Sequence, residues 1–299
     1  MIGRMRSRGS GISLRPGSTA WIAVLAALAL TLLLTACGEK PEPTGVRVSP
    51  YPVSVRGADE HDATLTSAPT RIGIVGAAPG ALVKALALEA TQVGDGAGRI
   101  SPQALDGLRP QLIIAGSEID PTALAQARGK GIPVYVTPDR TLEQVEEAVT
   151  DVSLLTGVPL RGRAIRARMV AAARKIRVAI AGESPVRVFF DAGGFTTVSD
   201  GSFVGDLIRE AGGLNVAGLD SEGPFDLKRL ARLRPEVILA KAGDPVTLAG
   251  LRRDPLTRRL PAVRAGRLVR VNGNLLVPGP DAIQVLRGLA AALHPDAFR

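Results

Sequence analysis

The chain is poor in side chains that perform covalent or metal chemistry. It has one cysteine, Cys37, and two histidines, His61 and His294, far apart in the sequence. That excludes a disulfide framework and leaves too few ligands for a zinc or haem site built from several protein atoms. No G-x-S-x-G nucleophile turn occurs. Ile74-Val75-Gly76-Ala77-Ala78-Pro79-Gly80 lacks the G-x-G-x-x-G spacing of a nucleotide loop. Gly94-Asp95-Gly96-Ala97-Gly98 is not placed to open a helix directly after a strand, so neither segment is expected to cradle phosphate. Neither an enzyme nor a resident cofactor or metal is expected. What remains suits reversible recognition: Ser117, Glu118, Asp191, Asp200 and Lys241 for polar contacts, and Phe195 and Phe225 for flat apolar ones. All seven lie in stretches that read as loops.

The elements that must position them alternate. Val53 to Arg56 and Ala63 to Thr66 read as a hairpin around the turn-rich Gly57 to Asp62. Apolar runs follow at Ile72 to Val75, Leu112 to Ala115 and Val134 to Val136, separated by helical patterns at Ala81 to Ala90, Pro121 to Arg128 and Leu142 to Thr156. Short apolar runs spaced by helices are the signature of parallel strands buried on both faces. The pattern restarts at Ser184, with strands at Val186 to Phe190, Val237 to Ala240 and Leu268 to Val271. Helices are expected there at Phe203 to Ala211, Leu227 to Leu233, Val246 to Arg252 and Asp281 to Leu293. Two α/β lobes are therefore predicted, 53–158 and 184–299. Loops at the carboxyl ends of such strands are where open α/β sheets bind ligands, here 76–79, 116–118, 191–203, 241–244 and 272–278.

Between the lobes, 159–183 reads as one connecting helix. Ile165, Met169, Ala172, Ile176 and Ile180 form an apolar stripe at three- and four-residue steps. The other face carries Arg161, Arg163, Arg166, Arg168, Arg174, Lys175 and Arg177 with no acid among them. Two readings stand: attraction to anionic lipid head groups, or a solvated face whose arginine stems cover the edges of the stripe.

The first 36 residues belong to targeting rather than fold. Arg4, Arg6, Arg8 and Arg15 precede an uncharged stretch of 14 residues from Trp21 to Leu34, the size of a secretory hydrophobic region. Leu34-Thr35-Ala36-Cys37 then resembles the lipobox of bacterial lipoproteins, which implies lipidation of Cys37 and anchoring to the cell membrane outside the cytoplasm. Residues 37–52, with Pro41, Pro43, Pro50 and Pro52, read as a stiff tether. The whole chain has a net charge of +9, but removing the leader leaves 33 basic against 28 acidic residues, so no nucleic-acid partner is expected.

Tyr51-Pro52-Val53-Ser54-Val55 followed by Ala68-Pro69-Thr70-Arg71-Ile72 resembles the opening of the periplasmic-binding proteins for vitamin B12 and ferric siderophores. Leu108-Arg109-Pro110-Gln111-Leu112-Ile113 and Leu233-Arg234-Pro235-Glu236-Val237-Ile238 are similar to that family's L-K-P-D-L-V entry into a strand, once per lobe. Gly131-Ile132-Pro133-Val134, Glu210-Ala211-Gly212-Gly213 and Pro278-Gly279-Pro280 match in family order. The resemblance implies two Rossmann-like lobes joined by a rigid helix, with ligand in the cleft between them. It also implies a monomer that catches a metal chelate, cobalamin or a ferric siderophore, and delivers it to an ABC permease and ATPase. A lipoprotein of the same fold that binds another partner or ligand is the alternative.

Departures from the family matter as much. Glutamates that in the family pair with permease arginines correspond here to Gln103 and Lys228, one charge lost and one reversed; Asp106 and Asp226 lie close enough to substitute. A strand and a pocket loop are missing between Ala90 and Val93. Asp281 stands where an arginine is usual, which disfavours an anionic siderophore.

Overall fold

The computed structural model describes residues 50–218, 223–273 and 276–299. The leader, Cys37 and the tether up to Ser49 lie outside the described residues. Residues 50–299 form one compact unit.

The hairpin forms as β1 (Val53–Arg56) and β2 (Asp62–Leu65). A first parallel sheet follows from β3 (Ile72–Val75), α1 (Ala77–Ala85), β4 (Thr91–Gln92), α2 (Pro102–Leu108), β5 (Leu112–Ala115), α3 (Pro121–Gly129) and β6 (Val134–Val136). Its strand order is β4-β3-β5-β6, and every pairing is parallel. α4 (Leu142–Leu155) and the long α5 (Pro159–Ala179) lead to the second half. That half contains β7 (Val186–Asp191), β8 (Thr196–Thr197), α6 (Phe203–Glu210), β9 (Gly213–Asn215), β10 (Gly223–Pro224) and α7 (Leu227–Leu233). It ends with β11 (Val237–Lys241), α8 (Leu248–Arg253), α9 (Pro261–Arg264), β12 (Leu268–Val271) and α10 (Ala282–Leu293). The second parallel sheet has the order β12-β11-β7-β9, and β8 pairs with β10 as a separate ribbon.

The two lobes repeat one local device. α2 ends at Arg109 and α7 at Arg234, both with φ of 48°, in the left-handed region. A proline follows each and turns the chain into β5 or β11. Gln111 then accepts from the backbone N–H groups of Thr70 and Arg71, and Glu236 accepts from that of Arg187. Each side chain thus covers free donors beside the strand next to its own. The paired motifs visible in the sequence are therefore strand-entry structures.

Several elements differ from expectation. The first helix begins at Ala77 rather than Ala81, because Pro79 sits in the first turn, where its missing N–H has no intrahelical partner to lose. It ends before Ala87, whose φ is 48°. The segment before Val93 is shortened but keeps a two-residue strand, β4, on the sheet edge. α2 and α9 are present although Gly107 and the brevity of α9 weaken their pattern.

α5 is 21 residues long, about 31 Å at 1.5 Å per residue. Ile165, Met169, Ala173 and Ile176 are buried on its inner side. α4 and α10 pack against that helix, and one hydrophobic core runs from Ile72, Leu112 and Tyr135 of the first lobe to Phe190, Leu239 and Leu286 of the second. Two satellite cores lie outside it, one in each lobe. Among the described residues no helix is long and apolar enough to cross a membrane.

Candidate functional site at the seam between the lobes

Two contacts fix which ends of the sheets face each other. The backbone N–H of Leu142, on the chain leaving β6, donates to Asp206 Oδ2 at 2.8 Å, and Asp206 lies in α6, which follows β7 and β8. At the other contact, a Cβ at Gly279, beyond β12, would stand 2.7 Å from Ala81 Cβ in α1, which follows β3. Every segment involved leaves the carboxyl end of a strand. The carboxyl ends of the two sheets therefore converge on one seam, the position at which open parallel sheets hold ligands.

A cavity of about 480 Å³ opens along this seam, between Ala77, Ala81 and Lys84 on α1 and Val277, Gly279 and Asp281 opposite. A neighbouring cavity of about 410 Å³ lies between α5 and the start of α10, with Met169 and Ile165 on its floor and the exposed Arg168, Asp281 and Gln284 at its rim. Both fall in the range of small-molecule sites.

Glu118 and Ser117 are exposed just beyond β5. The Glu118 carboxylate lies over the backbones of Gly76 and Gly116, occupying space that a Cβ on either glycine would take. Gly76 also has φ of 98°, which an L side chain rarely adopts. Ser117 N–H donates to the buried Asp139 at 3.2 Å, so Asp139 shapes the same lip. In the second lobe the Lys241 stem lies against Gly273 at the end of β12, with the ammonium exposed. Neither Glu118 nor Lys241 has a side-chain partner among the described residues. Two opposite charges, each seated on glycine, thus stand at strand ends of the two sheets, and neither lines the two cavities described above. The loop behind Lys241 is held by Arg270, which donates to Asp244 O at 3.0 Å and to Val246 O.

Asp191 is placed inside the second lobe rather than on its surface. Its side chain is buried, Oδ1 accepts from the N–H groups of Gly193 and Phe195 at 2.9 Å, and Oδ2 has no partner among the described residues. Burial pushes its carboxyl above the usual range, the nearby Asp244 adds to the effect, and the two N–H donors oppose it. Its role is to build the turn that holds Phe195 in the left-handed region at φ of 61°. Phe195 is half-buried at the edge of the outer core, and its carbonyl accepts from Phe225 N–H. Phe225 itself is buried, its ring 5.3 Å from that of Phe189 with the Arg229 guanidinium 5.0 Å above it. Asp200 is half-buried at the start of the turn into α6. The structure thus brings Ser117, Glu118 and Lys241 to the strand ends, while Asp191 builds the Phe195 turn and Phe225 packs in the outer core of the second lobe.

The sequence alone did not single out Asp139, Ala81, Lys84 or Gly279. The Pro278-Gly279-Pro280 motif carried a signal for the last, since only a glycine fits so close to α1.

The sequence matches the family described as "Periplasmic binding protein" over residues 26–275. The chain belongs to that family. It is 25% identical to a cobalamin-binding protein of Halobacterium salinarum over 91% of this chain and 83% of that protein. Among solved structures, the periplasmic heme-binding protein BhuT in complex with two hemes is 26% identical, with a TM-score of 0.67, over 78% of this chain and 100% of that one. The periplasmic vitamin B12 binding protein BtuF of Vibrio cholerae shares the fold at 18% identity and a TM-score of 0.67, over 77% and 98% of the two chains. As a member of this family the chain is an extracytoplasmic binding protein. The family is one of substrate-binding rather than catalytic proteins.

Proposed function

We propose that this protein is the lipid-anchored substrate-binding component of an ABC importer, holding a metal chelate in the seam and presenting it to a permease and ATPase. Convergence of the carboxyl ends of both sheets on one cavity-bearing seam, in a chain of this family, carries the reading. Lipidation at Cys37 supplies the anchor, and the chain acts as a monomer. The domain division is leader 1–36, tether 37–52, lobe 53–158, connecting helix 159–183 and lobe 184–299.

Within the chelates, the site chemistry favours cobalamin. Haem iron is held in proteins by His, Cys, Met or Tyr. Among the described residues His61 lies in the β1–β2 turn, His294 packs its ring at Gly212 O, Tyr135 donates to Asp151, Tyr51 donates to Leu155 O and Met169 is buried. None is at the strand ends, and Met169, which lines the second seam cavity, is only 2% exposed. The charged side chains lining the two cavities are Lys84, Arg168 and Asp281. The carboxylate of Asp281, at a position where the family resemblance leads one to expect an arginine, lowers the positive charge on offer to a polyanionic ferric siderophore. A corrinoid brings its cobalt already chelated and asks the protein for hydrogen bonds and apolar contact. Of the residues singled out, Ser117, Glu118, Phe195, Asp200 and Lys241 would touch it, with Asp191 and Phe225 supporting them.

A thermal-shift screen of the full chain against cobalamins, haem and ferric siderophores tests the choice. Ligand at a hundredfold excess over Kd stabilises by about 2.7 kcal/mol, and cobalamins are expected to give the largest rise. A shift with haem alone would replace the corrinoid, and no shift with any chelate would remove the reading.

One observation favours the second reading, a module of this fold that does not dock to a permease in the family manner. Gln103 and Lys228 are exposed at the docking positions, and both candidate substitutes are engaged. Asp106 pairs with Lys130 at 2.9 Å, and Asp226 caps α7 by accepting from Lys228 N–H. If Asp106→Ala and Asp226→Ala leave stimulation of a cognate permease's ATPase unchanged, those carboxylates do not dock.

A further inference from the structure

The outer face of α5 carries a second apolar stripe that the fold does not use. Leu160, Ala164, Ala167, Ala171 and Val178 recur at steps of four, three, four and seven residues and are all exposed, Leu160 to 75% and Val178 to 68%. At 100° per residue they lie opposite the buried Ile165, Met169, Ala173 and Ile176. Cations flank them on both sides, and the helix contains no acid. On one flank the stripe forms the floor of a groove of about 1060 Å³, rimmed by Arg163, Arg166, Arg174 and Lys175.

Three of the seven cations are engaged by the protein. Arg161 donates to the carbonyls of Leu86 and Ala87, Arg177 pairs with Glu210 at 3.2 Å, and Arg166 lies in the field of Glu146. Arg163, Arg168, Arg174 and Lys175 have no ion-pair or hydrogen-bond partner among the described residues. A merely solvated face needs no outward leucine and valine. A second copy of the chain would set these cations against their like.

An anionic lipid surface matches both features at once. Its phosphates accept from the free guanidinium and ammonium groups, the stripe enters the boundary between head groups and acyl chains, and the long stems let the charges stay at head-group level. We propose that α5 is a membrane-docking helix that lies flat on anionic lipid. The inference uses residues of α5 alone and stands whether or not Cys37 carries lipid.

The test is flotation of residues 50–299, the compact unit without leader or tether, with phosphatidylglycerol–phosphatidylcholine vesicles and with phosphatidylcholine alone, at low and at 1 M salt. Partition is expected on the anionic vesicles only and should be largely lost at high salt, where the screening length falls to about 3 Å. Arg163→Glu, Arg168→Glu, Arg174→Glu and Lys175→Glu together should lower it roughly a hundredfold or more. Leu160→Gln with Val178→Gln, which leaves the charge unchanged, should lower it several-fold. Arg252→Glu, Arg253→Glu, Arg258→Glu and Arg259→Glu, exposed on the second lobe, make the same change in net charge and should leave most of the binding. Unchanged thermal unfolding shows that each variant is folded. Equal losses in the two charge sets, or no loss in the α5 set, would overturn the proposal. So would absence from anionic vesicles combined with α5-dependent binding to polyglutamate, which would make the partner an acidic protein.

Discussion

Glu118 and Lys241 have the features expected of recognition residues: each is a charged group at a strand end, without a side-chain partner among the described residues, whose neighbours are glycines that make room for it. Each should contribute to ligand affinity and little to stability. Glu118→Gln and Lys241→Gln are each expected to weaken chelate binding by about tenfold, the scale of one lost hydrogen bond to a charged group, while the thermal midpoint of the unliganded protein stays put. Titration calorimetry beside thermal unfolding separates the two effects. Asp191 is the opposite case, a carboxyl whose burial serves the loop. Its folded pKa is raised, so the folded state holds the proton more tightly than the unfolded one. The resulting stability is fully present below the ordinary aspartate pKa and is lost as pH climbs through the raised value. Asp191→Asn keeps an oxygen to accept from Gly193 and Phe195 and removes that titration. The variant's melting temperature relative to the parent should therefore rise between pH 4 and pH 7. A difference that stays flat with pH would show that the carboxyl is not shifted.

At the scale of elements, α4 and α5 form the spine, and their contact depends on one glycine. A Cβ at Gly162 would collide with the Ser153 side chain and come within 3.2 Å of Val149 O on α4. Helix propensity alone favours Gly162→Ala by about 1 kcal/mol, whereas overpacking a close helix contact costs about 1–3 kcal/mol. Packing is expected to win, so the substitution should lower the thermal midpoint by a few degrees; a rise would show that the helices part freely. Elements with a strong period or clear punctuation were legible in the sequence. The apolar stripe gave the start of α5 but ran past its end, which falls at Ala179 rather than near 183, and the helix buries Ala173 in place of Ala172; Gly or Pro boundaries placed β3, β5, β6 and β12. α1 was displaced because a proline inside the first turn reads like a boundary, and β4, β8 and β10 are too short to leave a periodic trace. The candidate site was legible only as a set of loops. Nothing in residue type alone separated Glu118, which faces outward, from Phe225, which a neighbouring phenylalanine and an arginine enclose.

For the whole molecule, the shared core and the Leu142–Asp206 bond join the lobes through more than a linker. A hinge that must bend α5 or break this core moves little. Solution scattering with and without ligand should show only a small change in radius of gyration; a large compaction on binding would mean that the lobes are hinged more freely than their packing allows. The central claim is that a chelate lies between the facing carboxyl ends of the two sheets. Its most direct test is an equilibrium titration of cobalamin into the folded protein and into Gly279→Leu, whose new side chain would project against Ala81 across the seam. Saturable binding by the parent and at least tenfold weaker binding by the folded variant is the predicted result. Binding that ignores the substitution, or no binding of cobalamin by the parent, would contradict it.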